Sequence, residues 1–585
     1  MRSRHSIDTP RAQMTGAEIV LQALRDNGVE HIFGYPGAAV LPIYDELFQQ
    51  EDISHILVRH EQGAGHAAEG YARSTGKVGV MLVTSGPGVT NAITPLQDAL
   101  MDSVPLVCLS GQVPTSLIGS DAFQECDTVG MTRACTKHNR LVGDVNDLAA
   151  AIHEAFRIAG SGRPGPVLVD MPKDVLFASG NYTPPEAVAP RTSYQPDRLS
   201  DISEIEAATA LMATARKPII CAGGGVINSG LEASKLLREL VDLTGFPVTS
   251  TLMGLGAYPA SSPNWLKMAG LHGSHEANMA MHDCDLMLCI GARFDGGLVA
   301  GVDGFSPNSR KIQIDIDASS LNKTVRADIA IRGDAAGVLA ELVRLWRALP
   351  QAPDRARLTE WWSAIAGWRA RRSFSYAKRD DVIMPQYAIE RLYELTKHRD
   401  TYITTEVGRH QIWAAQSYDF ERPNRWVTSG GLGTMGYGLP AALGVQIANP
   451  NSLVIDIAGD ASVQVTMKEM SAAVQHNAPI KIFILNGGDQ GTARQRQHGN
   501  PDFVKLAEAY GGHGIRCERP AELDDAITEM IAVNKPVLFD CRVVELADRL
   551  PTIGAGRARN EMLLSGEVGA ALFAASADVG GEGRV

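Results

Sequence analysis

The chain has 585 residues, of which 45% are hydrophobic and 21% are charged, with 58 glycines and a formal net charge of −12. That length exceeds what one hydrophobic core supports, so we expect two to four globular domains and an enzyme rather than a disordered protein. The acidic balance gives no electrostatic reason to bind nucleic acid or an anionic membrane, because both attract clustered Lys and Arg. A small-molecule ligand is the default expectation.

The sequence also predicts a cytoplasmic protein. Its eight cysteines are scattered without a CxxC pair, which favours a reducing compartment and packing roles for the thiols. The basic N-terminal stretch MRSRHSIDTPRAQM lacks an apolar run, and no segment has the roughly 18 apolar residues that a membrane span needs. We therefore expect neither a targeting segment nor a membrane helix.

Three blocks of alternating strands and helices are predicted. Residues 14–190 contain the strand runs VGVMLVTSGPG, PLVCLSGQVP and GPVLVDMPKDV, and residues 195–350 contain KPIICAGGGV, GFPVTSTLMG, CDLMLCIGARFD and KIQIDID. Residues 351–382, charged and rich in Trp, are predicted to be a helical linker that packs along a domain surface. Residues 383–550 contain TYITTEVG, SLVIDIAGD, IKIFILNGG and KPVLFDCRV, and a weakly patterned tail spans 551–585.

Short apolar runs that alternate with helices indicate parallel sheets covered on both faces. The expected fold class is therefore α/β, with three doubly wound parallel-sheet domains, while the strand order stays open.

The third block carries the pattern of a metal-bound diphosphate site. Two buried strands, 453–457 and 481–485, are predicted to be joined by a segment whose apolar residues recur at helical spacing, namely Val463, Met467, Met470 and Val474. Asp460 and Asn486 would then leave the carboxyl ends of neighbouring parallel strands and converge on one cation. Carboxylate and amide oxygens suit Mg²⁺, which commonly bridges a protein to a diphosphate.

These residues resemble the metal motif of the thiamine-diphosphate enzymes, Gly-Asp-Gly followed after a spacer by Asn-Asn. More narrowly, the chain is similar to the catalytic subunits of the acetohydroxyacid synthase (acetolactate synthase) family from about residue 14 to 565. The resemblance is carried by the strings FGYPGAAVLPIYDEL, VRHEQGAGHAAEGYARSTGKVGVMLVTSGPG, IGSDAFQE, CTKHN, GRPGPVLVDMPKDV, IGARFD, VGRHQIWAAQ and SGGLGTMGYGLPAALG. It implies decarboxylation of a 2-keto acid, pyruvate, and transfer of the two-carbon unit to a second 2-keto acid, in branched-chain amino acid biosynthesis.

The resemblance also implies the site residues. Glu61 corresponds to the acid that activates the aminopyrimidine ring of the cofactor, and Met435 to the bulky residue that bends the cofactor. The alternatives are a solvated helix-start residue for Glu61 and a core methionine for Met435. Positions near the reaction centre are matched by Phe123, Gln124 and Lys137. Contacts to thiamine diphosphate are implied at Gly37, Pro87, Arg409, His410, Gly433, Ala461 and Ser462, and metal ligands at Asp460 and Asn486.

The family also carries FAD, which has no redox role in carboligation. The resemblance implies FAD contacts at Arg163, Gly223, Gly224, Thr251, Leu252, His272, Gly291, Arg293, Asp315 and Asp334. In the family, the acid and the metal–diphosphate domain of one site come from different chains, so a homodimer or homotetramer is implied. The presence of a small regulatory subunit is left open.

Departures from the family pattern concentrate at the site. Ala461 replaces the second glycine of the metal motif, and Gly487 replaces an asparagine that supplies a metal oxygen in relatives, so weaker Mg²⁺ binding is expected. Gly297 stands where an arginine clamps the second keto acid, and Arg496 where a tryptophan selects it. Arg409 replaces a glutamine, and we hypothesise that its charge compensates in part. An unchanged affinity of an Arg409→Gln variant for thiamine diphosphate would refute this hypothesis.

The sequence is therefore compatible with two main functions. The first is an acetolactate-synthase-like carboligase. The second is a divergent flavoprotein or paralogue on the same scaffold, in which thiamine diphosphate and metal binding are weakened or lost. A third, a non-catalytic partner of a true synthase, has no dedicated sign in the chain. The presence of Glu61, Gln124, Met435, Asp460 and Ser462 favours the carboligase.

Overall fold

The computed structural model describes residues 13–188, 202–294, 298, 304–351, 353–487, 499–544, 551–553 and 559–564. Gly297 and Arg496 lie outside the described residues, as does most of the 551–585 tail. The chain forms two compact units. The first is drawn from Met1–Gln195, Gly431–Pro450 and Thr466–Ala478, and the second from Pro196–Gly430, Asn451–Val465 and Pro479–Val585.

The first unit contains a six-stranded parallel sheet. Two short strands, β1 (Met14–Thr15) and β8 (Ser179–Gly180), lie outside this sheet. The six strands of the sheet are β2 (His31–Gly34), β3 (Ser54–Leu57), β4 (Gly79–Val83), β5 (Leu106–Gln112), β6 (His138–Leu141) and β7 (Pro166–Pro172). The sheet order is β3-β2-β4-β5-β7-β6, and β1 pairs with β8 in an antiparallel ribbon. Strands β4, β5 and β7 are buried along their whole length, as expected for a sheet covered by helices on both faces.

Seven helices accompany this sheet: α1 (Gly16–Asp26), α2 (Leu41–Leu47), α3 (Glu61–Thr75), α4 (Pro87–Asp102), α5 (Thr128–Thr132), α6 (Val145–Gly160) and α7 (Lys173–Phe177). Helix α1 begins at a capping box, in which Thr15 and Glu18 each accept the other's backbone N–H. This arrangement satisfies N–H groups that the first helical turn leaves free. Apolar faces of α1 and α6 pack together in the core of the unit.

A second six-stranded parallel sheet forms in the middle of the sequence. Its strands are β9 (Pro218–Ala222), β10 (Val248–Ser250), β11 (Trp265–Met268), β12 (Leu286–Ile290), β13 (Arg310–Asp315) and β14 (Ile329–Arg332). The helices in this part of the chain are α8 (Ile202–Thr214), α9 (Gly224–Asn228), α10 (Leu231–Thr244), α11 (His275–Asp283), α12 (Ala335–Arg347) and α13 (Thr359–Arg369). The sheet order is β11-β10-β9-β12-β13-β14.

The linker expected at 351–382 contains α13 and packs on the second unit as predicted. The indole N–H of Trp361 donates to the carbonyl of Pro218 at 2.9 Å, and that of Trp362 donates to Gly245 at 3.1 Å. Trp361 is buried and Trp362 half-buried, and each pairs its polar atom.

The third sheet is also parallel and six-stranded. Its strands are β15 (Thr401–Thr405), β16 (Trp426–Thr428), β17 (Leu453–Gly459), β18 (Lys481–Asn486), β19 (His513–Cys517) and β20 (Val537–Arg542), and the remaining helices are α14 (Pro385–Thr396), α15 (Arg409–Ser417), α16 (Gly438–Ala448), α17 (Met470–Gln475), α18 (Phe503–Ala509) and α19 (Leu523–Ala532). The order is β16-β15-β17-β18-β20-β19. The predicted α/β fold class is confirmed. Each sheet lies inside one predicted block, whose boundaries stay predictions.

The segment between β17 and β18 differs from the expected continuous helix. Two 3-10 turns, Val463–Val465 and Met467–Glu469, precede the short α17. Thr466 separates the turns with a ψ of 18°, and its hydroxyl donates to the carbonyl of Gly436 at 3.0 Å. This bond to a distant loop replaces continued helix formation. Within the described residues, no helix combines the length and the apolar character that crossing a membrane requires.

Candidate functional site at the carboxyl edges of the sheets

The residues expected to bind cofactors gather where the strand order of each sheet reverses. They follow the two strands that flank the reversal: Gly37 and Pro87 after β2 and β4, Gly223 and Gly291 after β9 and β12, and Arg409 and Asp460 after β15 and β17. Open α/β sheets bind ligands in the crevice at this point, outside the carboxyl ends of the strands. All three sheets therefore place expected cofactor residues at a favourable position.

Glu61 is the first residue of α3 and is only 8% exposed. Its Oε2 accepts a hydrogen bond from Nδ2 of Asn91 at 2.9 Å. The predicted apolar face of the helix is present, since Ala64, Ala67, Ala68 and Tyr71 are all buried. This environment argues against an ordinary solvated carboxylate. It holds one carboxyl oxygen in place at the entrance to a buried helix.

A second carboxyl group, that of Glu469, lies beside the first turn of α3. Each of its oxygens accepts the backbone N–H of Arg59 at 3.1 Å. A Cβ on Gly63 would lie 2.5 Å from the Glu469 carboxylate, so only glycine admits it. Burial raises the pKa of Glu469 to about 7. Glu469 was not predicted from the sequence, where its one signal is a lone glutamate within the run MKEMSAAV.

Met435 lies in the glycine-rich loop before α16. Its side chain is 54% exposed, while the neighbouring Thr434 and Gly436 are buried. Gly433 and Gly436 have φ values of +77° and +89°, a conformation that favours glycine. The loop therefore presents the methionine outward, which argues against the alternative of a gap-filling core residue.

The DAFQE segment lies against the start of α4. A Cβ on Gly86 would lie 2.9 Å from the carbonyl oxygen of Gln124, and Gln124 itself has a φ of +62°. Phe123 is 88% exposed. Pro87, the exposed first residue of α4, is adjacent to Gly86. Phe123, Gln124 and Pro87 thus share one edge of the first sheet.

Lys137 does not share that edge within this chain, and its role near the reaction centre stays a prediction. It precedes β6, and its backbone N–H bonds to Pro166 at the start of β7, so it lies at the amino ends of the strands. Its ammonium donates to the carbonyls of Ile158 and Ser161, at the end of α6. Lys173 directly follows β7 and so lies on the carboxyl edge.

Asp460 and Asn486 converge at the carboxyl edge of the third sheet. Strands β17 and β18 pair in parallel with Gly459 opposite Leu485, and both polar side chains are 1% exposed. The Nδ2 of Asn500 donates to Asp460 Oδ2 at 2.7 Å and to Asn486 Oδ1 at 3.2 Å. Burial raises the pKa of Asp460. Two expected metal ligands thus direct oxygens at one point.

A backbone cradle lies beside Asp460. The hydroxyl of Ser462 is 3.2 Å from both the backbone N and O of Gly459. A Cβ on Gly459 would lie 2.6 Å from Nδ1 of His410, so glycine is needed here. Burial lowers the pKa of His410 to about 4, and its Nε2 has no hydrogen-bond partner among the described residues. An unpartnered buried nitrogen is a polar group available to a ligand.

Three departures from the family pattern border this cradle. Arg409 is the half-buried first residue of α15. Ala461 is exposed, and its N–H donates to Oδ1 of Asp460 at 2.9 Å. Gly487 follows Asn486 and is half-buried. The substitutions therefore leave the fold intact at the positions where they occur.

Glycines in the middle sheet let two turns pack tightly. A Cβ on Gly223 would lie 2.2 Å from the carbonyl oxygen of Gly291, and one on Gly225 would lie 2.6 Å from its Cα. Gly224 is less confined, since its Cβ would meet Met253 at 3.2 Å. Backbone packing alone therefore requires two of these glycines, whatever ligand binds.

Most other residues expected at FAD follow the carboxyl ends of β10 to β14, namely Thr251, Leu252, His272, Arg293, Asp315 and Asp334. Asp334 caps α12 by accepting the N–H of Ala336 at 3.1 Å, and it also accepts the hydroxyl of Ser229 at 2.6 Å. Asp315 is buried and accepts the N–H of Asp317 at 2.9 Å. These bonds give the two carboxylates structural roles in addition to the predicted one.

Arg163 follows α6 in the first unit, and its side chain contacts the end of α4. Its Nε donates to the Ser103 hydroxyl at 2.8 Å, and its Nη2 donates to the carbonyls of Leu100 and Met101 at 3.0 and 3.2 Å. A cation at a helix C-terminus satisfies carbonyls that lack intrahelical partners. The role of Arg163 in FAD binding stays a prediction.

Comparison with known proteins covers most of the chain. Three models of the thiamine pyrophosphate (thiamine diphosphate) enzymes match: the N-terminal TPP binding domain at residues 14–131, the central domain at 205–342 and the C-terminal TPP binding domain at 406–541. The chain is 45% identical over 570 residues to the acetolactate synthase isozyme 3 large subunit of Escherichia coli (strain K12), covering 94% of this chain and 99% of that protein. The chain belongs to the acetolactate synthase family.

Other members of the acetolactate synthase family match over similar lengths. Identity is 45% over 569 residues to the acetolactate synthase large subunit of Haemophilus influenzae, covering 94% of this chain and 98% of that protein. Identity is 41% over 595 residues to the acetolactate synthase catalytic subunit, mitochondrial, of Saccharomyces cerevisiae, covering 96% and 85%. The predicted acetolactate synthase resemblance and enzyme class are confirmed.

Proposed function

We propose that this chain is a thiamine-diphosphate-dependent carboligase of the acetolactate synthase type. It decarboxylates pyruvate and transfers the two-carbon unit to a second 2-keto acid. The observation that carries this proposal is the buried carboxyl of Glu61, held by Asn91 of α4, the helix that follows β4 at the point where the strand order of the first sheet reverses. The relatives found are synthases, and none of the comparisons favours the divergent flavoprotein.

Thiamine diphosphate, when bound, supplies the ring system that accepts the electron pair released when a 2-keto acid loses carbon dioxide. The chain contributes proton control and shape. Glu61 offers its carboxyl group as the acid toward the bound cofactor, and Asn91 fixes the orientation of that group. Met435, exposed on a glycine loop, provides an apolar surface against which the cofactor can bend.

The third sheet suits the diphosphate and its metal. Asp460 and Asn486 offer a carboxylate oxygen and an amide oxygen, which are hard ligands of the kind that Mg²⁺ prefers. Gly459 leaves the backbone open, and His410 has an unpartnered buried nitrogen beside it among the described residues. The Ser462 hydroxyl, which donates to the carbonyl of Gly459 at 3.2 Å, could donate to a phosphate oxygen instead when the diphosphate binds. These features support a Mg²⁺–diphosphate site.

FAD, homo-oligomeric assembly and a cytoplasmic location complete the proposal. The carboxyl edge of the middle sheet supports an FAD site, because its expected contacts follow neighbouring strand ends. A homodimer or homotetramer follows from the family pattern in which two chains complete each site. A regulatory subunit is an open part of the proposal, since the relatives include proteins named as large subunits.

The proposal is tested with purified full-length protein. Its visible spectrum reports bound flavin, and release of carbon dioxide from pyruvate is measured with and without thiamine diphosphate and Mg²⁺. We expect a yellow protein and release that depends on both additions. A yellow protein that binds no thiamine diphosphate and releases no carbon dioxide would instead support the divergent flavoprotein.

A further inference from the structure

The side chain of Asn500 occupies the point at which Asp460 and Asn486 converge. Its Nδ2 lies 2.7 Å from Oδ2 of Asp460 and 3.2 Å from Oδ1 of Asn486. An amide N–H₂ carries partial positive charge and donates to both oxygens, so it takes the position that suits a cation. The asparagine that relatives use at position 487 is glycine here, which removes one oxygen from the same neighbourhood.

The orientation of the Asn486 amide is fixed by its other end. Its Nδ2 donates to Oδ1 of the fully buried Asp540 at 2.7 Å. Because a carboxylate only accepts, the amide nitrogen must face Asp540 and the amide oxygen must face the shared point. Asp540 is itself held by Nε of Arg516 at 2.9 Å and by Nη2 of Arg542 at 3.1 Å.

The orientation of the Asn500 amide is not fixed in this way. Its Oδ1 has no hydrogen-bond partner among the residues that the structure describes. Rotation of the terminal amide by a half-turn would exchange its nitrogen and oxygen while keeping their positions. The amide oxygen would then lie where Nδ2 lies now, close to the two other oxygens.

The spacing of these atoms suits adjacent ligands of a small cation. Metal–oxygen bonds of about 2.1 Å at right angles place neighbouring oxygens about 3 Å apart in an octahedral magnesium site. The two measured separations, 2.7 and 3.2 Å, bracket that value. An Asn500 oxygen at these distances would repel the other two oxygens unless a cation or a proton lies between them.

We propose that Asn500 rotates its amide when the metal binds and supplies the oxygen that Gly487 cannot. The inference rests on the proposed function, because it concerns the Mg²⁺ that holds the diphosphate. It makes Asn500, a residue outside the metal motif, a metal ligand, and it explains how the chain tolerates glycine at position 487. Without metal, the same side chain holds the site together by donating to both oxygens.

The test measures Mn²⁺ binding to the full-length apoprotein with saturating thiamine diphosphate, by electron paramagnetic resonance of the free ion. Mn²⁺ accepts the same oxygen ligands as Mg²⁺. We expect Asn500→Ala to weaken Mn²⁺ affinity at least about tenfold, as loss of a ligand or its support typically does. Gly487→Asn in the Asn500→Ala background should restore most of the affinity. Unchanged or tighter binding by Asn500→Ala would overturn the inference, since Asn500 would then compete with the metal.

A second variant separates the oxygen of Asn500 from its N–H₂ group. Asn500→Asp keeps an oxygen and loses the donor, so a metal ligand should bind Mn²⁺ as tightly as the parent or more tightly. Two carboxylates would also repel in the metal-free protein, so Mn²⁺ should raise the melting temperature of Asn500→Asp more than that of the parent. Weaker binding by Asn500→Asp than by the parent would overturn the inference even if Asn500→Ala failed to fold.

Gln464→Ala is the matched control. Its Nε2 donates to the backbone carbonyl of Asp460 at 2.7 Å and so contacts the same residue without touching its carboxylate, and we expect unchanged Mn²⁺ affinity. Binding by the parent protein distinguishes failure of the proposed function from failure of the role of Asn500. If it bound neither Mn²⁺ nor thiamine diphosphate, the proposed function would fail. If it bound both, and Asn500→Ala bound them equally well, only the role of Asn500 would fail.

Discussion

At the scale of single residues, the site depends on groups whose chemistry their surroundings restrict. Glu61 is the clearest example, because burial and the bond from Asn91 leave it one carboxyl oxygen for a cofactor. Glu61→Gln keeps the shape and loses the acid. We expect carbon dioxide release from pyruvate to fall at least about a hundredfold, the usual scale of proton-transfer catalysis, with thiamine diphosphate affinity nearly unchanged.

Steady-state kinetics and calorimetric titration check this prediction together, with Glu51→Gln on the exposed surface as the control. Full activity of Glu61→Gln would remove the proposed acid.

Gly459 tests the diphosphate cradle. A Cβ at this position would lie 2.6 Å from Nδ1 of His410 and 3.3 Å from the Ser462 hydroxyl. Gly459→Ala should therefore displace His410 and lower thiamine diphosphate affinity about tenfold or more, because overpacking costs about 1–3 kcal/mol. Gly337→Ala in α12 has nothing within 4 Å of the new Cβ and is the control. Equal affinities for the two variants would show that the cradle does not bind the diphosphate.

The placement of residues was predictable where a strand end and a polar side chain coincide, as for Asp460 and Asn486. The position of Lys137 before β6 was not, because a matching string does not say which end of a strand a residue occupies. Asn500 could not be predicted, since 14 residues separate it from Asn486 and its contact depends on tertiary folding. Glu469 was hidden for a similar reason, because its partner Arg59 is 410 residues away.

At the scale of elements, the contact between α3 and α16 positions Glu61. The two helices approach so closely that a Cβ on Gly444 would lie 1.8 Å from the carbonyl of Ala67, and one on Gly70 would lie 2.2 Å from that of Ala441. Both obstacles are backbone atoms, which cannot move aside as a flexible side chain can. Small residues therefore set the separation of these helices.

Gly444→Ala should destabilise the protein by about 3 kcal/mol, the upper range for overpacking a core, and should lower activity by moving the start of α3. Thermal denaturation measures the loss. Gly367→Ala, in α13 with nothing within 4 Å of the new Cβ, should be neutral or slightly stabilising because alanine favours helix. Indistinguishable melting temperatures for the two variants would contradict the close contact.

The Glu469 carboxyl gives the link between α3 and the turn before α17 a pH dependence. Burial raises its pKa from 4.5 to about 7, so the native state holds the proton more tightly than the unfolded state does. Stability from this group is complete below about pH 4.5, falls as pH rises to about 7 and is constant above that. The loss is about 3.5 kcal/mol at 1.4 kcal/mol per unit of pKa.

Glu469→Gln removes this titration. Between about pH 4.5 and 7, the unfolding free energy of the parent should fall relative to that of Glu469→Gln, as measured by chemical denaturation. Parallel pH profiles for the two proteins would exclude the raised pKa.

Strand prediction succeeded in the sheet centres and failed at the edges. The notable omissions were β3 and β6, β11 and β14, and β16 and β19, which are the two outer strands of each sheet. Central strands are buried on both faces and produce continuous apolar runs. Edge strands such as β6, with the sequence HNRL, are only partly buried, so pairing with a neighbour decides their structure. The strand β2 was missed as well.

At the scale of the whole molecule, family membership favours the same reaction as in the relatives, whereas the local departures favour changed binding of metal and substrate. Similarity at 45% identity extends over 94% of the chain, whereas the departures predicted from the sequence concern the expected metal motif and substrate positions, namely Ala461, Gly487, Gly297 and Arg496. The fold, the buried Glu61 and the converging oxygens of Asp460 and Asn486 persist despite those changes. We therefore expect the reaction to persist while metal affinity and choice of the second keto acid differ.

The central claim is that this chain joins two keto acids by means of thiamine diphosphate. The most direct measurement is the circular dichroism of the chiral acetohydroxy acid formed from pyruvate by the full-length protein, with FAD present and with thiamine diphosphate and Mg²⁺ added or withheld. We predict product that appears only when both are added. No product from a protein shown by titration to have bound thiamine diphosphate would contradict the account.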